Sequence, residues 1–520
     1  VTDIWAATAP PLVTARRDHY DADIVIIGSG AGGATTAWAL AGSGARVLVL
    51  ERGGFLPREP ENWSPQAVFA EELYHNAEPW RTPQGKRFVS SSHYYVGGTT
   101  KVYGASLPRL RESDFGAVEH YEGTSPAWPF AYPELEPFYA EAERLYRVHG
   151  HRGSAAEPGD PTAPPRSGPF PHPPVEHEPY VADLERRLRR QGLHPHPLEL
   201  GIDLGPGRPC LRCGTCDGFP CRVGAKGDAE TRALRPALRR GNVRLLTHAR
   251  VTRLDTDRAG RAVTTVHAVR QGSPITVTAG RVVLSAGAIN SAALLLRSAN
   301  DQYPDGLANG SGLVGRNLML HNNSVMVAVD PRRRNPVTFQ KTLAVNDFYH
   351  GGPGARYPLG NLQLMGKVRA EMLPPHVPHG LRAGLTAHSL DWWVMSEDLP
   401  DPRNRVTLAP DGQIVLRREP TNLRAHRELV RAARRMLRRA GYPLVFAQRM
   451  GIDATGHQCG TTVAGLDEAR SVLDPYCRSH QLSNLYVVDG GFFPSSAAVN
   501  PTLTIAAQAL RAARKGGLLA

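Results

Sequence analysis

Three glycines and one glutamate have the spacing of a phosphate-binding turn. Gly28, Gly30 and Gly33 stand in the run GSGAGG, directly behind a β-branched stretch at 23–27, and Glu51 follows 18 positions past Gly33. The first glycine permits a tight turn, the second lets a pyrophosphate reach the backbone, and the third lets a helix pack closely on its strand. The N-terminus of the helix that follows offers unpaired N–H groups and a positive dipole end, which suit phosphate. Glu51, at the tip of the next strand, can accept hydrogen bonds from both ribose hydroxyls and disfavours a 2′-phosphate. The implied chemistry is binding of an ADP-bearing dinucleotide, and the turn alone does not separate FAD from NAD. A second set is Cys210, Cys213, Cys216 and Cys221, with gaps of two, two and four residues. Thiolates this dense bind zinc or an iron–sulfur cluster in many proteins. The wide last gap, and Pro220 ahead of the final cysteine rather than behind it, depart from the ferredoxin pattern.

Positioning these groups requires a βαβ unit. The run 23–27 reads as a buried strand, 34–40 as helix ended by Gly42 and Gly44, and 46–50 as a second buried strand. A matching strand–glycine–helix passage occupies 281–288, with strands at 249–254 and 262–266 before it. A third passage runs from 484 through Asp489, Gly490 and Gly491 to a helix opened by Pro501, with Asn500 as its N-cap. The nucleotide-binding part is therefore discontinuous. Between its pieces lie a loop at 151–179 with nine prolines, extended runs at 361–369 and 385–395, and a hairpin at 405–416 around Pro410, Asp411 and Gly412. The predicted class is α/β (α+β overall): a discontinuous Rossmann-like domain plus a substrate domain with a largely antiparallel sheet flanked by helices. The expected division places 1–20 as an N-terminal extension. It gives 21–60, 85–125, 225–330 and 455–520 to the first domain, and 61–84, 126–224 and 331–454 to the second.

Composition bounds the partners. The 520 residues are 41% hydrophobic and 21% charged, enough for a large core. No apolar run reaches the ~18 residues of a membrane span, and 1–23 lacks a charged-then-apolar leader. Six cysteines fit a reducing compartment, so a cytoplasmic location is expected. The net charge is +13, and all but six of the 61 basic residues are arginine. Their densest cluster, Arg424, Arg427, Arg431, Arg434, Arg435, Arg438 and Arg439, lies on an amphipathic pattern with Thr421 as N-cap and 441–443 as its stop. The reading is a solvated helix face over an apolar stripe, with nucleic-acid or membrane contact as the competing one. Neither nucleic acid nor membrane is an expected partner.

Four separated segments together resemble the glucose–methanol–choline (GMC) family of flavoprotein oxidoreductases. They are 28–33 with Glu51; 96–105 (VGGTTKVYGA), similar to the family's flavin-contacting glycine motif; 287–298, close to its second signature; and His457-Gln458-Cys459-Gly460-Thr461 through 485–505. Further matches are 313–318 and 397–400. The resemblance implies FAD rather than NAD, and the oxidation of an alcohol. By motif, His457 and Asn500 are the catalytic pair: His457 removes the hydroxyl proton while the carbinol hydride passes to flavin N5. Neutral imidazole suits a base at working pH, and Asn500 holds the substrate oxygen, in competition with a plain N-cap role. The cofactor contacts implied are Gly28, Gly30, Ala31, Gly33, Glu51, Arg52, Gly97, Gly98, Thr99, Tyr103, Gly104, Val251, Ala286, Gly287, Asp489, Gly490, Asn500, Pro501 and Thr502. The N–H groups of Thr502 and Leu503 are aimed at the anionic side of the ring.

Departures from the family pattern matter too. Val102 stands where some members carry a histidine bound covalently to FAD, so a non-covalent cofactor is expected. Tyr103 stands where many have Asn or His. Sugar oxidases of the family can carry a cysteine-rich loop running into a stretch like Gly224-Ala225-Lys226. A structural loop, with room for one disulfide, is therefore favoured over a bound metal. The expected substrate is a hydroxyl of a sugar, glycoside or amino-sugar, with a choline-like or aliphatic alcohol or a non-catalytic flavin-binding role as alternatives. The electron acceptor is O2 or another molecule. Carboxylates that could meet a cationic substrate are Glu397 and Asp398.

Overall fold

The computed structural model describes residues 17–154, 159–352 and 354–519. Most of the N-terminal extension and residues 155–158 of the proline-rich loop lie outside the described residues.

The β-branched runs read from the sequence form the centre of a seven-stranded sheet. Val243–Leu246, Val47–Leu50, His19–Ile27 and Ser273–Leu284 lie side by side, followed by Val263–Arg270 and Ala249–Thr256, while Leu485–Val487 also pairs with Ser273–Leu284. Pairing is parallel where Ile24 meets Val47 and Arg281, and where Val282 meets Leu485. Strands covered on both faces need apolar side chains at every position, and Val25, Ile26, Val49 and Val283 are fully buried. On its other edge, the first half of Ser273–Leu284 pairs antiparallel with Val263–Arg270. Helix Ala31–Leu40 packs on Thr502–Lys515, which packs on Tyr132–Tyr146. Tyr139 and Tyr146 hydroxyls meet Thr504 and Thr35, so Tyr132–Tyr146 joins the first core, although the sequence division gave it to the second domain.

A six-stranded sheet forms the second layer system, in the order Leu444–Arg449, Asn322–Val329, Ser389–Ser396, Asn361–Leu364, Leu343–Val345, His196–Pro197. Its neighbours are antiparallel. Asn322–Val329 pairs here rather than with the nucleotide-binding strands, so the division drawn at 330 falls after it. Its period-two pattern explains why: Met326 and Ala328 enter the core under the arginine-rich helix, while Val327 and Val329 pack in a cluster on the opposite face. The extended runs shorten to Asn361–Leu364 and Ser389–Ser396, with helix His379–Ala387 before the latter.

Helix Leu423–Arg439 buries Ala425, Leu429, Ala433, Met436 and Leu437 and leaves six of its seven clustered arginines exposed. Thr421 is not its cap. Asn422 holds that position with φ 52°, Thr421 bonds Asp398 and Leu399, and the Glu122 carboxylate accepts the Leu423 and Arg424 N–H groups. The hairpin Arg405–Leu408 with Ile414–Arg417 forms as read and pairs onward to Pro79–Arg81. Among the described residues no helix is long and apolar enough to cross a membrane.

Candidate functional site

The glycine turn is held open by close packing on all sides but one. A side-chain carbon at Gly28 would fall 2.3 Å from the Ser285 carbonyl oxygen, one at Gly32 1.8 Å from that of Val488, and one at Gly33 2.1 Å from that of Gly28. At Gly30 nothing lies within 4 Å, and helix Ala31–Leu40 begins there without a side-chain cap. The open space and the uncapped helix start together form a cradle that fits a pyrophosphate. Gly98 (φ +58°) completes it by bringing 97–104 against Gly30, where a Cβ would stand 3.1 Å from the Gly30 Cα. Gly97 N–H donates to Ser29 Oγ, and Thr99 Oγ1 accepts from His93 N–H.

Glu51 sits buried just past Val47–Leu50. It accepts the Ser29 hydroxyl (2.5 Å) and the N–H groups of Ser29 and Gly53, while burial raises its pKa. The two later glycine passages meet it from the same sheet end. Asp489 accepts from Gly287 N–H, Ser291 Oγ and Gly491 N–H, Ala286 N–H donates to Ser291 Oγ, and Gly490 lies against the Gln458 carbonyl. Val251 lies beside an irregularity in its strand. Arg52 is spent on Glu78 and lies 3.7 Å over the Tyr94 ring, and the Tyr103 hydroxyl donates to the Gly227 carbonyl.

His457 is placed by a short antiparallel bridge. Met319 and Cys459 exchange both backbone hydrogen bonds (3.0 Å each), which sets His321 opposite His457. Gly460 (φ +93°) has no room for a side chain, since a Cβ would meet the Asn317 carbonyl at 2.2 Å. The imidazoles stand edge to face, 5.1 Å apart, with their Nδ1 atoms at 3.0 Å. His321 Nε2 lies 3.0 Å from the Ser496 carbonyl, which can only accept, so that nitrogen carries the proton. His321 Nδ1 is then a bare acceptor, His457 Nδ1 carries a proton toward it, and His457 Nε2 keeps a lone pair. Burial, then His321, then Lys341 push the His457 pKa down to about 3.

Asn500 approaches that lone pair. Its Oδ1 accepts from Ser106 Oγ (3.2 Å) and Gln363 Nε2 (2.9 Å), which turns the NH2 group to His457 Nε2 at 3.4 Å. It is not an N-cap. Pro501 holds that place ahead of Thr502–Lys515, and no side chain caps the helix. Ser106, His321 and Gln363 were not picked out from the sequence; their chemistry appears only through pairing with distant segments. His321 is itself held in the left-handed region (φ +60°), a conformation that needs support. Arg418 supplies it by donating to the His321 carbonyl while paired with Asp398.

The carboxylates named for a cationic substrate are therefore otherwise engaged. Asp398 takes Arg418, Leu320 N–H and Thr421, and Glu397 takes His120, Ser125 Oγ and Ala497 N–H. A carboxylate that acts on His457 is Asp217, partly buried inside the cysteine-rich loop. It pairs with Lys341 at 2.7 Å and accepts from Trp393 Nε1 and Gly366 N–H. The four loop cysteines form no disulfide. The loop is instead tied by Lys226 Nζ to the carbonyls of Cys216 and Phe219, and by Gly218 N–H to the Val102 carbonyl. Among the described residues, one group of ligand atoms lies within 4.8 Å of one another: Asp160, His196 and Glu199. Arg111 and Asn346 already bond Asp160 there.

A family model described as GMC oxidoreductase matches residues 22–323, and a second of the same description matches 400–509. The chain is 32% identical to a 6'''-hydroxyparomomycin C oxidase of Streptomyces lividus over 97% of its own length and 94% of the relative's. It is equally identical, with the same coverage, to a paromamine 6'-oxidase of Streptomyces fradiae. Among solved structures, a pyridoxine 4-oxidase from Mesorbium loti superposes with a TM-score of 0.67 at 22% identity, over 95% of this chain and 99% of that one.

Proposed function

The chain belongs to the GMC oxidoreductase family and is an FAD-dependent oxidoreductase of alcohols or sugars, and from that premise we propose that it oxidises a hydroxyl of a sugar or amino-sugar with His457 as the base. The observation that carries the reading is the proton order Ser496–His321–His457, which leaves His457 Nε2 unprotonated beside the Asn500 amide. FAD, when bound, supplies the hydride acceptor. The residues that would hold it are the 28–33 turn with Glu51, the 97–104 segment, Gly287, Asp489, Gly490, and the uncapped start of Thr502–Lys515. Val102 offers no attachment atom, so we expect acid precipitation to leave the yellow colour in solution.

His457 Nε2 takes the hydroxyl proton, and the charge gained is shared along Nδ1–H toward His321. Asn500 NH2 holds the substrate oxygen; its own oxygen is occupied by Ser106 and Gln363 and does not compete for the proton. Burial keeps His457 neutral, so the base is ready without a prior deprotonation. An aminoglycoside substrate is supported by the two Streptomyces oxidases, which match over nearly the whole chain.

The test is anaerobic bleaching of the flavin band against paromamine, simple glycosides and aliphatic alcohols, in the wild type and in His457→Gln. Bleaching by a sugar, slowed ~10²–10⁴-fold in the variant with FAD retained, supports the proposal. Equal rates in the two proteins overturn it.

A further inference from the structure

The ion pair Lys341–Asp217 is unevenly bonded. Asp217 Oδ2 accepts from Lys341 Nζ (2.7 Å), Trp393 Nε1 (3.1 Å) and Gly366 N–H (3.1 Å). Oδ1 accepts from no donor among the described residues, and two of the three Lys341 N–H bonds likewise find no acceptor there. An unspent carboxylate oxygen thus stands beside unspent ammonium protons, on a pair whose side chains are 3% (Lys341) and 12% (Asp217) exposed. Both groups press on Gly104, where a Cβ would lie 2.3 Å from Nζ and 2.4 Å from Oδ1.

The pair belongs to the same wall as the Asn500 amide. Gln363, which donates to Asn500, lies directly across the sheet from Trp393, which donates to Asp217. Side chains opposite one another in antiparallel strands are ~5 Å apart at Cβ. Gln363 Oε1 is also buried without a partner. From these contacts we infer that Lys341 and Asp217 form a subsite for a hydroxyl next to the one that is oxidised. Lys341 donates to its oxygen and Asp217 Oδ1 accepts its proton.

A hydroxyl is the group that both gives and takes a hydrogen bond at one atom. An ammonium cannot accept from Lys341 and is repelled by it, so an amino group of the substrate belongs elsewhere. The cysteine-rich loop thereby gains a role, because it delivers Asp217 to this wall. The assignment rests on the reading that substrate sits against His457 and Asn500, and its test is binding rather than turnover.

The oxidised holoenzyme is titrated calorimetrically with trans-cyclohexane-1,2-diol, trans-2-aminocyclohexanol and cyclohexanol. The wild type is expected to bind the diol at least tenfold more tightly than either of the others. Lys341→Met and Asp217→Asn, each checked for full FAD content, are expected to lose that preference. Should Asp217→Asn fail to fold because Oδ2 anchors the loop, Lys341→Met decides alone. No diol preference in the wild type, or a preference kept in Lys341→Met, overturns the subsite. Loss of sugar oxidation with the diol preference intact would instead fault the functional reading.

Discussion

Two buried lysine–carboxylate groups lie against the segment 97–104, and only one of them is closed. Lys101 Nζ bonds Asp228 Oδ2 (3.1 Å) and Glu230 Oε2 (2.5 Å), while Thr231 N–H takes Asp228 Oδ1 and Arg235 Nε takes Glu230 Oε1. Every carboxylate oxygen is occupied, so the group staples 97–104 to the segment behind it. Lys341 and Asp217 share one hydrogen bond and keep an acceptor and two donors in reserve. Unequal satisfaction, with Asp217 the most exposed of these lysines and carboxylates at 12%, separates a structural ion pair from one that can take a ligand. The chain uses lysine sparingly, and Lys101, Lys226 and Lys341 are all buried. A compact ammonium with three donors serves such places better than a planar guanidinium.

The largest expected effect is on the closed group. Lys101→Met leaves buried Asp228 without a counter-charge and Glu230 with Arg235 alone, and should cost about 3–5 kcal/mol in denaturant unfolding. Lys341→Met should cost less than half of that, because Asp217 retains Trp393 and Gly366. Equal losses would erase the distinction. Next comes His321→Phe, which removes the acceptor for His457 Nδ1–H and should lower kcat/KM by about 10–100-fold with FAD content unchanged. His321→Gln, which can still accept, should recover part of the loss, and equal defects in both would reduce His321 to packing.

The third effect is on the pH profile. A base held at about 3 stays neutral through mild acid, so the wild type should show no acid limb in kcat/KM near 6.5, where free imidazole titrates. Lys341 helps hold that value down. Lys341→Met should raise the His457 pKa and carry the acid limb to higher pH, and a shift in the other direction would remove Lys341 from the charges that act on His457. The smallest effect is Gly104→Ala. Its methyl group would fall 2.3 Å from Lys341 Nζ and 2.4 Å from Asp217 Oδ1, so both must shift and diol affinity should fall several-fold, with a smaller loss of stability than in Lys101→Met.

The dinucleotide turn and its strands were legible because buried parallel strands demand β-branched runs and a phosphate cradle demands glycine at set positions. The motifs pointed to His457 and Asn500, whose side chains meet at 3.4 Å, though the cap assigned to Asn500 falls to Pro501 while its oxygen bonds Ser106 and Gln363. What stayed hidden was brought together by pairing across long separations. His321 meets His457 through the Met319–Cys459 bridge, and Asp217 meets Lys341 and Trp393 across more than 100 residues. The acidic pair at 397–398 illustrates the converse: both side chains are present, and both are consumed by neighbours the sequence does not display. One signal was available, namely lysine at 341 in a chain that otherwise prefers arginine.

The strand Leu485–Val487 closes the central sheet long after its neighbour Ser273–Leu284 has been made. His457, Asn500 and that strand emerge after Ser106, His321, Gln363 and the staple at Lys101. Such distant closures are slow, because chain entropy is lost before the contacts repay it. A growing chain can therefore hold a finished six-stranded sheet and still lack the imidazole–amide encounter, which waits on segments that follow it in chain order.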